Sequence, residues 1–431
     1  MMTEITRSNI YRVLFFISGF LLSILMMKTL VLHTDNTQLM DKAIHYVKTG
    51  EWAHFGNRST KVGSIPGSFL TAITAVPMKI YFSPYSAMAV IILFHLISFL
   101  FLYLTFKNQK WFSVLALIIF YWLNPWRLEQ VELYNPGYLF FFATLHLYTS
   151  SLLLNKSKSK TFWPTVFHIL SIGFCMQVHL SFIILACVSS LLFIFKKIKI
   201  NWWAFFISSA VIVISLIPYF LQKGQQGQEA INLAHSDAFF GRNFVLVYPT
   251  LKGIVYFFRM GSLYFGRHIF SEIQFEWIIN AQLRLVFSFV FHILKWIIAG
   301  VSLFFSIKVI GLFIINNSRA LFFSFKSKKS LENYFSDLDF FEIYFYFLFI
   351  AALISTAISP VEFNHWHLIL CFPAISIFLM KSFSQMLSSR QLAILGVLFI
   401  FWGFLICAGS RSHLLSNDYS KAFFEKYESV K

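Results

Sequence analysis

The chain has 431 residues and a formal net charge of +17, with 58% hydrophobic, 20% aromatic and only 12% charged residues, about half the charged share of an ordinary soluble domain. That balance excludes a soluble fold. A nucleic-acid-binding domain is excluded too, because the Lys and Arg residues sit in short clusters between apolar runs.

The first apolar run, 11–32, is longer than a signal-peptide core of about 7–15 residues, and no small-residue cleavage site follows. It reads as a retained membrane span. Further spans follow at 84–106, 111–125, 136–154, 162–176, 178–195, 201–221, 285–315, 341–359, 368–380 and 391–409. The expectation is an all-α, polytopic helical membrane protein of about 11 transmembrane helices, in one domain over 1–431. With Arg7 and Arg12 cytoplasmic, Lys107, Lys110, Lys156, Lys158, Lys160, Lys196, Lys197, Lys199, Arg319, Lys326, Lys381 and Arg390 fall on that side, as the positive-inside rule requires. The composition leans to a bacterial inner membrane with a periplasmic active face. An endoplasmic reticulum protein with a lumenal face would carry the same signs. Cys175, Cys187, Cys371 and Cys407 lie in or beside spans without CxxC spacing, so they predict packing, neither a disulfide framework nor a zinc site.

Three outer segments exceed simple turns. Residues 33–83 hold an amphipathic stretch, with Leu39, Ile44 and Val47 opposed to Asp41, Lys42 and Lys48, then "SIPGSFLTAITAVPMKIYF", which Pro66, Gly67 and Pro77 break into an interfacial helix. Residues 222–284 mix Gly, Gln and aromatics with Arg242, Arg259, Arg267 and Arg284, and 410–431 form a polar outer tail.

Candidate chemistry gathers on that outer side. Asp35 emerges straight after the first span; it reads both as the cap of a helix beginning at Asn36 and as a rigidly held general base. "NPWRLEQVELYNPG" packs Arg127, Glu129, Glu132 and Asn135 into one short connection, either a solvated loop or a polar floor facing Asp35. Gln177 and His179 interrupt an apolar stretch at 162–195 and mark at least a tight outer turn. Glu362, His365 and His367 stand at the outer end of a late span, in a spacing that suits a divalent metal only weakly. Walker, GxGxxG and GxSxG motifs are absent. Acidic residues and Arg do not recur at span midpoints as transport pathways tend to require.

The layout resembles the polyprenyl-phosphate-sugar-dependent glycosyltransferases of the GT-C superfamily, in the bacterial branch related to protein O-mannosyltransferases and the lipid A aminoarabinose transferase. The resemblance covers residues 30–195 and rests on "HTDN", "YVKTGEW", "KVGSIPGSF" and "LNPWRLEQVELYNPGYLFFF". It implies a catalytic Asp in the first outer loop, matched by Asp35, with Asn36 where the family often has Glu. It also implies a donor-phosphate cation before the interfacial helix, matched by Lys61 with Arg58 as alternative. Glu129, Glu132 and Asn135 stand where the family often carries a second-loop Asp, and Arg127 and His179 are further candidates for the donor phosphate. The implied partners are a polyprenyl-phosphate sugar, membrane lipid and a glycan, lipid or protein acceptor, with no nucleic acid. No cofactor is required, because phosphate is already an activated leaving group. The alternatives are an O-antigen-type polymerase or ligase, leaning on the arginines of 222–284, and a lipid-linked sugar transporter or flippase with polar residues across paired broken helices.

Overall fold

The structure, a computed structural model, describes residues 4–29, 34–59, 63–154, 160–225, 247–263, 275–326, 338–359, 364–410, 425–426 and 428–429. It begins with α1 (Glu4–Met27), α2 (Thr34–Thr49), a hairpin of β1 (Phe55–Ser59) and β2 (Gly63–Pro66), α3 (Phe69–Ile80) and α4 (Pro84–Phe106). The chain continues through α5 (Val114–Leu117), a π-helical turn (Ile118–Trp122), α6 (Pro125–Glu129), a 3-10 turn (Asn135–Tyr138), α7 (Leu139–Leu153), α8 (Phe162–Met176), α9 (Phe182–Ile194) and α10 (Trp202–Gln225). Then come α11 (Val247–Met260), α12 (Ala281–Ser306), a second π-helical turn (Ile307–Gly311), α13 (Leu312–Lys326), α14 (Phe340–Ala357), a 3-10 turn (His365–Cys371), α15 (Phe372–Ser384) and α16 (Ser389–Gly409).

Every expected span contains helix, and seven helical runs among the described residues are long and apolar enough to cross a membrane. The other four expected spans, 111–125, 136–154, 162–176 and 178–195, are shorter or broken. At 15 and 13 residues, α8 and α9 extend roughly 20 Å, against about 30 Å of hydrocarbon. They lie among other helices: α8 against α7 and α10, α9 against α14. In the other direction, 285–315 grows into a helical run from Ala281 to Ala320, about twice the hydrocarbon thickness. Outward faces are apolar, as at Trp203 (78% exposed), Leu285 and Phe289. Such faces suit lipid, where only the backbone must be satisfied internally. The chain is therefore a multi-pass membrane protein. The four cysteines carry free thiols.

Inside the bundle, a polar chain joins four helices. The Tyr344 hydroxyl lies 2.9 Å from His146 Nδ1, His146 Nε2 2.7 Å from Ser189 Oγ, Ser189 Oγ 2.9 Å from His168 Nε2, and His168 Nδ1 3.2 Å from Thr149 Oγ1. Thr149 donates its own proton to the Leu145 carbonyl at 2.8 Å, so it can only accept from His168. That fixes the direction: Tyr344 donates to His146, His146 to Ser189, Ser189 to His168, His168 to Thr149. Both imidazoles are neutral with defined tautomers, and the chain ends on a backbone carbonyl, which makes it a tie between helices and not a proton path. Ser189→Ala is expected to orphan both imidazole Nε2 atoms and lower stability by about 1–3 kcal/mol. A thermal melt in detergent reads this, with Ser189→Thr, which keeps the hydroxyl, close to wild type.

The connections sort to two ends. At one, Ser384 Oγ donates to the Trp111 carbonyl at 3.0 Å and Lys381 holds both Asp339 and Glu342. The other carries α2, the hairpin, α6 and the chain terminus, whose Lys426 Nζ lies 2.9 Å from Asp41 and whose Ser429 Oγ accepts from Lys48 at 3.1 Å. α1 packs along α16, where Cys407 Sγ sits 3.6 Å from the Leu22 carbonyl.

Candidate active site

α2 begins at Thr34, so Asp35 lies in its first turn. The expected helix start at Asn36 is corrected by two residues. A carboxylate in the first turn still faces the positive end of the helix dipole. Leu39, Met40, Ala43 and Ile44 are buried against α3, which leaves the polar face for the site. The hairpin that follows was not expected, because its strands have five and four residues, are rich in Gly, Asn and Ser, and shift register between Phe55 and Arg58. Lys42 anchors it, donating to the Gly56 carbonyl at 2.6 Å and to Asn57 Oδ1 at 3.4 Å. Arg58 pairs with Ser64 across the hairpin, whereas Lys61 and Glu362 lie outside the described residues.

The second connection starts at Asn124, whose side chain caps α6 by accepting from the Trp126 N–H at 3.0 Å, with Pro125 following. Arg127 turns into the bundle. Its guanidinium donates to the Trp122 carbonyl (Nε, 2.8 Å), to the Gly19 carbonyl at 3.3 Å and to Ser23, and stacks on Trp122 at 4.1 Å. Burial pushes its pKa down to about 9, so it keeps its charge at neutral pH. It ties α6 to α1. Glu129 is buried in the same turn.

Glu132 and Asn135 are tied to the Asp35 segment through Asn36 and Asn57. Asn36 Nδ2 donates to Glu132 Oε1 at 3.4 Å, and Asn57 Nδ2 donates to the Asp35 carbonyl at 2.9 Å and to Asn135 Oδ1 at 3.0 Å. Asn135 Nδ2 in turn donates to the Val178 carbonyl at 3.4 Å. Tyr134 lies beside these carboxylates: burial, then the negative charges of Asp35 and Glu132, push its pKa up. The phenol therefore stays protonated. Two carboxylates, a phenol and three carboxamides thus meet at one end of the bundle.

Gln177 and His179 frame the next turn. Gln177 Oε1 lies 3.4 Å from the Phe69 N–H, and its Nε2 donates to Ser215 at 2.7 Å, so Gln177 braces the start of α3. His179 Nδ1 lies 2.6 Å from Ser181 Oγ and 3.1 Å from the Ser181 N–H, and Ser181 Oγ donates to the His367 carbonyl at 2.8 Å. His179 lies 5.6 Å from the His367 ring, while His365 turns to Trp126 and Tyr256 at 5.9 and 6.0 Å. Burial, and secondarily His367, lower the His179 pKa to about 3. The unfolded chain binds a proton there below pH ~6.5 that the folded chain refuses, so stability is full above ~6.5 and falls toward pH 3. The loss approaches about 1.4 kcal/mol per pH unit. Between pH 7.5 and 5.5, Tm is expected to fall more in wild type than in His179→Asn.

α11 brings residues that sequence reading missed. Lys252, Tyr256 and Arg259 lie on one face at helical spacing; Lys252 Nζ donates to Asn364 Oδ1 at 3.3 Å, and Arg259 stands 5.7 Å from the Trp126 ring. Lys252 and Tyr256 were never singled out, and Arg259 only as one of four arginines in a mixed loop. Arg242 and Arg267 lie outside the described residues, and Arg284 starts in α12.

No family model matches the sequence, and no curated protein is similar to it. Two solved structures are similar in fold. The crystal structure of ArnT from Cupriavidus metallidurans in the apo state has 12% sequence identity and a TM-score of 0.50 over 91% of this chain and 61% of that one. The chain has an ArnT-like fold. ArnT from the same organism bound to undecaprenyl phosphate has 11% identity and a TM-score of 0.48, over 97% of this chain and 76% of that one. The chain spans about three fifths of the apo ArnT chain. An ArnT-like fold is what the GT-C resemblance of residues 30–195 leads one to expect.

Proposed function

We propose that the protein is a membrane glycosyltransferase that moves a sugar from a polyprenyl-phosphate carrier to an acceptor hydroxyl, with inversion, on the periplasmic face of a bacterial inner membrane. The observation that carries this reading is the Asp35 carboxylate in the first turn of α2, on a segment tied to Glu132 and Asn135 through Asn36 and Asn57, within an ArnT-like fold. Asp35 accepts the acceptor hydroxyl proton, the oxygen attacks the anomeric carbon, and the bond to the carrier phosphate breaks as polyprenyl phosphate leaves. Charge developing on that phosphate is stabilised by preorganised cations, a contribution of several kcal/mol. Arg58 and Lys61, by the family resemblance, and Lys252 and Arg259 on α11 are the cations assigned to it; Arg127 and neutral His179 hold the frame. No cofactor takes part. The product is a cell-envelope glycan or glycoconjugate, and no nucleic acid is bound.

The test is transfer of labelled sugar from a panel of undecaprenyl-phosphate sugars in proteoliposomes, with nucleotide sugars as controls. Turnover with at least one lipid donor and none with nucleotide sugars is expected. No transfer from any lipid donor would return the O-antigen-type polymerase and the flippase readings, the first of which draws on Arg259.

A further inference from the structure

We propose that Asn57 is the positioning residue of Asp35, holding the backbone from which the carboxylate projects. This rests on the glycosyltransferase reading for its consequence in turnover, and on geometry alone for the clamp. Asn57 is 3% exposed and lies on β1. Its carboxamide is committed on every side: Oδ1 accepts from Lys42 at 3.4 Å, and the two Nδ2 protons go to the Asp35 carbonyl at 2.9 Å and Asn135 Oδ1 at 3.0 Å. Lys42 is held in turn by the Gly56 carbonyl and by the Phe55 ring at 5.3 Å.

The polarity of this relay allows no rearrangement. The Asp35 carbonyl can only accept, so Nδ2 must face it. Asn135 then presents Oδ1 to Asn57 and Nδ2 to the Val178 carbonyl, which also can only accept. A flip of either carboxamide would set oxygen against oxygen. Three connections far apart in the chain, the α2 start, the second loop and the 177–181 turn, are therefore registered through two side chains, Asn57 and Asn135. The Asp35 backbone is thus held by Asn57, and with it the point from which the carboxylate projects. A base misplaced by about 1 Å loses roughly a hundredfold in rate, so loosening the clamp shows in turnover before it shows in binding.

Asn57→Asp is the sharpest variant, because it keeps the size and sets a carboxylate oxygen against two acceptors. Asn57→Ala removes the bonds outright. Each is purified as the full chain, reconstituted, and measured for kcat, donor KM and backbone hydrogen exchange without substrate. Expected for both is a 10- to 100-fold loss in kcat with donor KM within twofold, and faster exchange confined to residues 34–38 and the hairpin. In the Asp35→Asn background the same changes are expected to cost less than twofold, since nothing remains to be positioned; a merely structural role would remain additive. Unchanged kcat, or exchange rising through α4 and α7 as well, overturns the proposal. If wild type transfers no sugar, the function reading fails, and the exchange pattern alone decides the clamp: selective loosening of 34–38 supports it and unchanged exchange overturns it.

Discussion

Asp35→Asn is expected to lower sugar transfer at least a hundredfold while the protein stays folded and donor KM changes little. The substitution keeps the size of the side chain and removes its basicity, so it isolates proton acceptance from packing. Loss in kcat without loss in donor binding is the signature of an interaction made in the transition state. Asp35→Glu keeps the charge but moves it by one methylene, and is expected to fall between the two. The comparison needs kcat and KM for each protein with the donor found in the transfer panel. A variant that turns over like wild type would remove Asp35 from the reaction.

The second large effect belongs to Gly67, four residues after the hairpin opens into β2. Its φ is +87°, and a Cβ there would stand 2.3 Å from Gln177 Oε1. Gly67→Ala therefore meets two separate obstacles. A left-handed backbone costs a non-glycine residue about 1–2 kcal/mol, and crowding a filled site costs a further ~1–3 kcal/mol. The expected result is a loss of about 2–4 kcal/mol, with activity falling as the turn between the hairpin and α3 shifts. Pairing it with Gln177→Ala separates the terms: the double variant relieves the contact but not the backbone, and is expected to recover part of the Tm difference. Full recovery would mean that φ at this position carries no strain.

The spans, and the place of Asp35 at a helix start directly after the first of them, were legible because they depend on local composition: a run of apolar residues crosses a bilayer whatever surrounds it. Glu132 and Asn135 were legible as members of a polar loop, and the structure brings both to the Asp35 segment. Arg127 belonged to the same loop by spacing, yet it bonds to carbonyls of Trp122 and Gly19; nothing in the loop's composition states which way a side chain turns. Asn57 and Tyr134 were missed because their partners lie 78 residues away in one case and a whole outer loop away in the other. No periodicity encodes such a pairing. The histidine chain in the bundle was invisible for a related reason, since His146, His168 and Ser189 sit singly in three different apolar helices.

The pairing of α1 with α16 sets a schedule for biosynthesis. α1 closes against α16, a helix that follows it in the chain by more than 350 residues. At about 5–20 residues per second, translation leaves α1 without that partner for roughly 20–70 s. Its outward face, with Val13, Leu14 and Leu21, is served by lipid from the start, but the strip that ends at Cys407 must be shielded by the insertion machinery or by neighbouring early helices. The segment that touches Asp41 and Lys48 follows α16 in the chain, so the Asp35 end gains its contacts to that segment only after the partner of α1 has been made.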